Sequence, residues 1–192
     1  FFFTKNFINQ IPNGVLQLTQ AGTFPVWIYQ QIDAKMYGLD FDINLNITDN
    51  LSYKGRGAYV YGQDETNNEP LILMMPLNFS NTLQFKNQKW HGFYFNIENQ
   101  TFLYQNRFPG HNLEYTDYID GEEVNKTVDI STPPRQYSLW NIQTGINLAK
   151  NFSAGLTVNN VFDISYRDYL NRMRFFANDL GRNFILNFRY KF

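Results

Sequence analysis

The sequence predicts an all-β protein: a transmembrane β-barrel of about eight antiparallel strands, with short turns at one rim and long loops at the other. Three observations predict it. Stretches of strict apolar/polar alternation recur along the chain, which in a strand places one set of side chains on each face. The connections between them alternate between short and long. Aromatic residues make up 18% of the 192 residues, yet mean hydropathy is polar at -0.43 and no run of 18 apolar residues exists. That absence rules out a transmembrane helix but not a barrel, whose strands cross with about 9–11 residues, half of them facing away from lipid.

Taken in order, Phe1–Ile11 reads as a first strand, and Pro12–Gln30, rich in Gly, Pro, Thr and Gln, reads as a loop. Met36–Thr48 follows with the clearest alternation. Tyr37, Leu39, Phe41, Ile43, Leu45 and Ile47 fall opposite Gly38, Asp40, Asp42, Asn44 and Asn46. Asp49 and Asn50 make a tight turn into Ser52–Gly62. The connection Gln63–Met75 carries Asp64, Glu65, Asn67, Asn68 and Pro70. Leu77–Lys86 sets Leu77, Phe79, Leu83 and Phe85 against Asn78, Ser80, Thr82, Gln84 and Lys86, and Asn87–Lys89 turns into a strand across Trp90–Tyr104. Gln105–Arg135 is the longest irregular stretch, of a length that in compact domains marks functional or mobile segments. Tyr137–Leu148 alternates again, Lys150 and Asn151 turn into Phe152–Phe162, and Asp163–Gly181 is a last irregular stretch. Finally, Phe184, Leu186, Phe188, Tyr190 and Phe192 alternate with Asn183, Asn187, Arg189 and Lys191.

The alternation of connections is what separates a barrel from a soluble sandwich. Outer-membrane barrels have short periplasmic turns and long extracellular loops, and their strands number evenly. Trp90, Tyr104, Trp140, Phe152, Tyr190 and Phe192, near strand ends, fit interfacial girdles. Two other readings remain open: a complete small eight-stranded outer-membrane barrel acting as adhesin or anchor, and a soluble secreted β-sandwich that binds carbohydrate through its tyrosines. They differ in one measurable way. A complete barrel pairs Phe1–Ile11 with Asn183–Phe192, whereas a segment of a larger barrel leaves both strands unpaired.

A net charge of -1 gives no basic stripe for nucleic acid, and the absence of cysteine removes disulfides and zinc–thiolate sites. The opening Phe-Phe-Phe-Thr-Lys-Asn reads as the start of a mature protein or of a fragment. No hydrolase elbow, phosphate loop or zincin helix is present, so the reading is of a non-enzyme without cofactor.

The stretch Leu156-Thr-Val-Asn-Asn-Val-Phe-Asp163, then Tyr166-Arg-Asp-Tyr-Leu170, Asn171-Arg-Met-Arg174, Gly181-Arg-Asn-Phe184 and the terminal aromatic strand resembles the end of a TonB-dependent outer-membrane receptor. Pro76 with Asn78 after an acidic loop is similar to the same region. The resemblance implies a barrel of about twenty-two strands around an N-terminal plug domain, in the outer membrane of a Gram-negative bacterium. Its activity would be uptake of a scarce nutrient such as a ferric siderophore or haem-type ligand, driven by the inner-membrane TonB complex. Residues 1–192 would be the C-terminal part of that barrel, with the plug outside them. By the same resemblance Phe188, Tyr190 and Phe192 are the signal read by the barrel-assembly machinery, while facing outer-membrane lipid.

Site candidates follow from the loops. Arg107, His111, Tyr115 and Tyr118 offer charge, hydrogen bonding and aromatic faces on one extracellular loop, suited to an anionic, aromatic metal chelate. Arg167, Arg172, Arg174 and Arg182 flank the last loop and read as loop-to-wall ion pairs. Asp40, Asp42 and Asn44 mimic the start of a calcium loop, but lack its glycine and fit a polar row facing the lumen. Glu114, Asp117, Asp120, Glu122 and Glu123 read as a solvated acidic face, and His91 as interfacial. No metal site is expected.

Overall fold

The computed structural model describes residues 2–20, 22–175 and 177–192. Among them, eleven strands form in chain order: β1 (Phe2–Thr19), β2 (Gly22–Asn46), β3 (Leu51–Asp64), β4 (Glu69–Pro70), β5 (Asn78–Asn87), β6 (Phe93–Phe102), β7 (Leu113–Ile119), β8 (Glu122–Val128), β9 (Tyr137–Ala149), β10 (Phe152–Asn159) and β11 (Asn183–Tyr190). One antiparallel sheet runs β1-β2-β3-β5-β6-β9-β10-β11, with β4 pairing onto the end of β3; β7 and β8 form a separate hairpin. The sheet is not closed. β1 and β11 are its two ends and share no ladder among the described residues, which overturns the complete small barrel.

Register turns the alternation into two faces. Leu45, Tyr53, Leu83, Ile97, Ile142, Val158 and Phe184 are successive ladder partners across seven strands, an unbroken apolar row. The adjacent row, Asn46, Ser52, Gln84, Asn96, Gln143 and Thr157, is polar across six strands and ends on Ile185 in β11. Because side chains alternate with period 2, a slip of one residue in any strand would interrupt both rows. The polar rows bond to themselves. Gln84 Nε2 donates to Asn96 Oδ1 at 2.8 Å and Asn96 Nδ2 to Gln143 Oε1 at 3.2 Å. Glu98 accepts from Ser80, Gln100 and Asn141 at 3.2, 3.0 and 3.1 Å. Arg56 Nε donates to Asp42 Oδ2 at 2.8 Å, with Lys54 Nζ 3.7 Å from the same oxygen. Asp42 thus belongs to a polar row, as the sequence suggested.

Aromatic rings cover glycines across the ladder. Tyr94 lies opposite Gly145, where an added Cβ would sit 2.6 Å from its ring, and Phe41 lies over Gly57 in the same way. At the turn rim, Phe85, Trp90 and Phe93 cluster with centroids 5.9–6.4 Å apart, and Phe152 stacks on Phe188 at 6.1 Å.

Two predicted loops are structured. Pro12–Gln30 is a long β1–β2 hairpin rather than a loop. Proline is tolerated in strands at edges and bulges, and this stretch supplies both. β1 is the sheet edge, Pro12 flanks a register shift before Leu16, and Pro25 lies beyond the part of β2 that β3 pairs. Gln105–Arg135 contains the β7–β8 hairpin, turned by Asp120 (φ 54°) and Gly121 (φ 85°), the pair a two-residue hairpin turn requires. Phe152–Phe162 ends as a strand at Asn159, and Trp90–Tyr104 begins at Phe93.

Candidate functional site

The loops pack together at one rim, on a core that starts where β2 and β3 leave the wall. Ile32, Ala34 and Leu71 are buried there, with Phe7, Met36 and Met74 against them. Asp64, at the end of β3, accepts from the amides of Thr66 and Asn67 at 2.8 and 2.9 Å and folds the next segment back over that core.

The motif Asn160-Val-Phe-Asp163 sets the last loop. Buried Asn160 donates through Nδ2 to Ile164 O at 2.8 Å and accepts from Ile164 N at 3.0 Å. Asp163 Oδ1 accepts from Arg182 N at 2.7 Å and lies 2.7 Å from where a Cβ on Gly181 would stand, so the close approach explains the glycine before Arg182. The loop between them turns through a 3-10 segment at Arg172–Phe175. Arg174 is only 3% exposed, and among the described residues no carboxylate pairs with it. Its guanidinium donates to Tyr169 O at 2.9 Å and Ile130 O at 3.0 Å, and lies 4.7 and 4.3 Å from the Tyr169 and Phe175 ring centroids. Burial pushes the Arg174 guanidinium below its ordinary value and the Tyr169 phenol above its own. Among the described residues the ion pairs expected of Arg167, Arg172, Arg174 and Arg182 do not form: Arg167 Nε donates to Asn178 Oδ1 at 2.8 Å and Arg172 Nη2 to Gln10 Oε1 at 2.5 Å. Amide and carbonyl oxygens take these donors instead, because the loop carboxylates Asp163, Asp168 and Asp179 are held by backbone, asparagine and tyrosine donors.

Between this loop, the start of β2 and the base of the β7–β8 hairpin lies a cleft of about 590 Å³. Phe24, Trp27, Tyr115 and Phe175 supply aromatic walls, Arg167 and Arg172 supply cations, and Asp129 is a carboxylate in the lining. The Arg172 guanidinium lies 5.7 Å from the Trp27 ring centroid.

The four predicted contact residues are dispersed. Tyr115 lines the cleft. Arg107 stacks its guanidinium 3.6 Å from the Tyr61 ring centroid and donates to Gln63 Oε1 at 2.6 Å; Tyr61 in turn stacks on Tyr37 at 4.4 Å. His111 Nε2 lies 3.1 Å from Glu69 Oε1, and its buried Nδ1 has no hydrogen-bond partner among the described residues. Tyr118 is exposed near the hairpin tip, donating to Glu123 Oε1 at 2.8 Å. The acidic residues lie on that hairpin, where Lys126 donates to Asp117 at 2.6 Å. Among the described residues, no group of three or more metal-ligating side chains gathers. Trp27 and Phe175 were not singled out as contacts, since a long stretch read as loop gives no sign of which aromatic faces inward.

A sheet with an apolar face, a polar face, short turns at one rim, packed loops at the other and two unpaired edges has the architecture of a piece of outer-membrane β-barrel wall. No protein-family model matches the chain, and no curated protein matches it. Solved structures do. The copper transporter OprC aligns over 99% of this chain and 26% of its own at 15% identity, with a TM-score of 0.72. The ferripyoverdine receptor of the outer membrane of Pseudomonas aeruginosa, bound to ferripyoverdine, aligns over 85% of this chain and 20% of its own, at 17% identity and TM-score 0.59. The ferric enterobactin receptor PfeA of the same organism aligns over 99% and 27%, at 17% identity and TM-score 0.59. The chain therefore shares the fold of a part of these proteins, and spans about a fifth to a quarter of their length.

Proposed function

We propose that this chain is the C-terminal barrel segment of a TonB-dependent receptor in the outer membrane of a Gram-negative bacterium, and that the receptor takes up a metal chelate of the ferric siderophore or haem type. The aromatic and arginine-lined cleft carries the reading of the ligand. An anionic chelate with flat aromatic arms matches that lining, since guanidinium groups bind oxyanions by charge-assisted bonds and rings stack on rings. In this reading Tyr115 touches ligand beside Arg167 and Arg172, Arg107 and His111 hold the loops around the cleft, and Tyr118 meets ligand on approach. The free edges of β1 and β11 support a larger barrel, because an open edge at membrane depth leaves backbone groups unsatisfied. The plug domain and the segment that engages the TonB complex then belong to the rest of the receptor. Phe188, Tyr190 and Phe192 serve the barrel-assembly machinery.

The test is titration of the receptor with a ferric tris-catecholate, followed by quenching of Trp27, with Trp90, Trp140 and every tryptophan outside these 192 residues replaced by phenylalanine. Saturable quenching that weakens at least tenfold in R167Q/R172Q is the expected result. Quenching that is absent, or unchanged in the double variant, would remove the cleft from ligand binding.

A further inference from the structure

Asn13 is followed by glycine, and it is the only asparagine of the chain that is. The pair falls where the β1–β2 hairpin has left the wall, since β3 pairs β2 from Ala34 to Asn46. The ladder breaks there. Pro12 lies opposite Trp27 and Leu16 opposite Pro25, so Asn13, Gly14 and Val15 stand against Val26 alone. This is a bulge, and the φ of 81° at Gly14 is one that glycine adopts without strain. Asn13, Gly14 and Val15 are all exposed, and a Cβ added to Gly14 would meet nothing within 4 Å. Asn13 Oδ1 accepts from Val15 N at 2.9 Å, which folds the side chain back along the backbone beside the Gly14 amide.

Those features favour one reaction. The Gly14 amide nitrogen attacks Asn13 Cγ, the new N–C bond closes a succinimide ring, and the side-chain nitrogen leaves as ammonia, taking the amide proton with it. Water then opens the ring at either carbonyl and leaves aspartate or isoaspartate at position 13. In a regular strand the ladder fixes the backbone, and a side chain on the next residue crowds the nucleophile. Here the ladder is interrupted, the next residue has no side chain, and the reacting groups are already neighbours, which is what speeds an intramolecular attack.

We propose that the Asn13-Gly14 pair is a site of self-modification, at which succinimide formation converts Asn13 to aspartate and isoaspartate and loosens the tip of the β1–β2 hairpin. Isoaspartate lengthens the main chain by one methylene between Pro12 and Gly14 and sets a free carboxylate beside it, so the two sides of the bulge no longer match. Beyond the bulge the tip is held by Leu16 opposite Pro25 through Thr19 opposite Gly22. It supplies Thr23, Phe24 and Pro25 to the cleft. Conversion therefore reaches one wall of the cleft without touching the arginines, whatever ligand the cleft takes.

The test is incubation of the full-length protein in detergent micelles at mildly alkaline pH, with mass spectrometry counting conversion at each asparagine. Asn13 is expected to convert at least tenfold faster than every other asparagine of these 192 residues, and within threefold of its own rate in guanidinium-unfolded protein. Isoaspartate should be among the products, and hydroxylamine should cleave the chain between residues 13 and 14. G14A should slow conversion at least tenfold; because alanine is strained at that φ, the comparison of folded with unfolded wild-type protein stands as a second reading. A folded rate more than threefold below the unfolded one, aspartate without isoaspartate, or a rate unchanged in G14A would overturn the site. Hydrogen exchange tests the loosening: after conversion the amides of residues 16–19 should exchange at least tenfold faster while those of β9 and β10 keep their rates. Equal protection of residues 16–19 before and after conversion would overturn it.

Discussion

In the wall, Leu45, Phe41, Leu186 and Phe188 stand exposed with no protein layer behind them, whereas at the loop rim Leu71, Ile130 and Tyr169 are each about 2% exposed. Both regions are apolar, and they bury that surface in different solvents. The wall presents single rows to lipid and satisfies its backbone through ladders, so it needs no core of its own. The rim stands in water and must exclude it with side chains, which gathers the buried polar groups Asp64, Asn160 and Arg174 in the same place. The wall should therefore respond to changes of face, and the rim to the loss of individual bonds.

The largest effect should come from reversing a face. Leu186→Arg, on the apolar row set, is expected to destabilise the folded wall by about 2–4 kcal/mol, depending on its depth in the bilayer. Asn187→Arg, one residue on, should be nearly neutral; denaturant titration of the protein in lipid vesicles compares the two. At the rim, Arg174→Ala leaves Ile130 O and Tyr169 O without their donor and should cost about 3 kcal/mol. That loss should appear as faster proteolysis of the last loop while the heat-modifiable gel mobility of the wall is kept. Should the wall unfold with it, the two regions are not separable.

Glycine substitutions sharpen the contrast at smaller size. Gly145→Ala drives a Cβ into the Tyr94 ring and should cost about 1–3 kcal/mol, measured as a shift in denaturation midpoint. Gly110→Ala, with nothing within 4 Å of its Cβ position, should be silent to within about 0.5 kcal/mol. The smallest effect concerns pH. The hydrogen bond from Lys126, then that from the Tyr118 amide, holds the Asp117 carboxyl below its ordinary value, and Asp117 in turn raises Lys126. The carboxylate's contribution is present above its unfolded value and lost as pH falls through the depressed one. The lysine's is present below its unfolded value and lost as pH rises through the raised one. The β7–β8 hairpin should thus hold across the neutral range and fray weakly at both extremes, visible in hairpin amide exchange, since exposed pairs contribute little.

Much of the wall was legible because period 2 is a local property. Any strand in which Phe184, Leu186 and Phe188 alternate with polar residues declares its two faces before its neighbours are known. The rim was not legible for the converse reason. Prolines at positions 12 and 25 read as breakers, although an edge position and a bulge make them harmless. Asp120-Gly121 did carry a hairpin signal, but it lay inside a polar stretch whose strands show no clear alternation.

By itself the sequence determined the fold class, the two faces of most wall strands and the short turns of one rim, all of which follow from the spacing of residues near one another in the chain. Tertiary structure alone decided that Arg174 binds carbonyls and rings in place of a carboxylate, and that Tyr115 rather than Arg107 or His111 meets Arg167, Arg172 and Trp27 in one cleft. Those outcomes depend on contacts between residues distant in the chain, where strand order and loop packing set the distances and spacing along the chain carries no information.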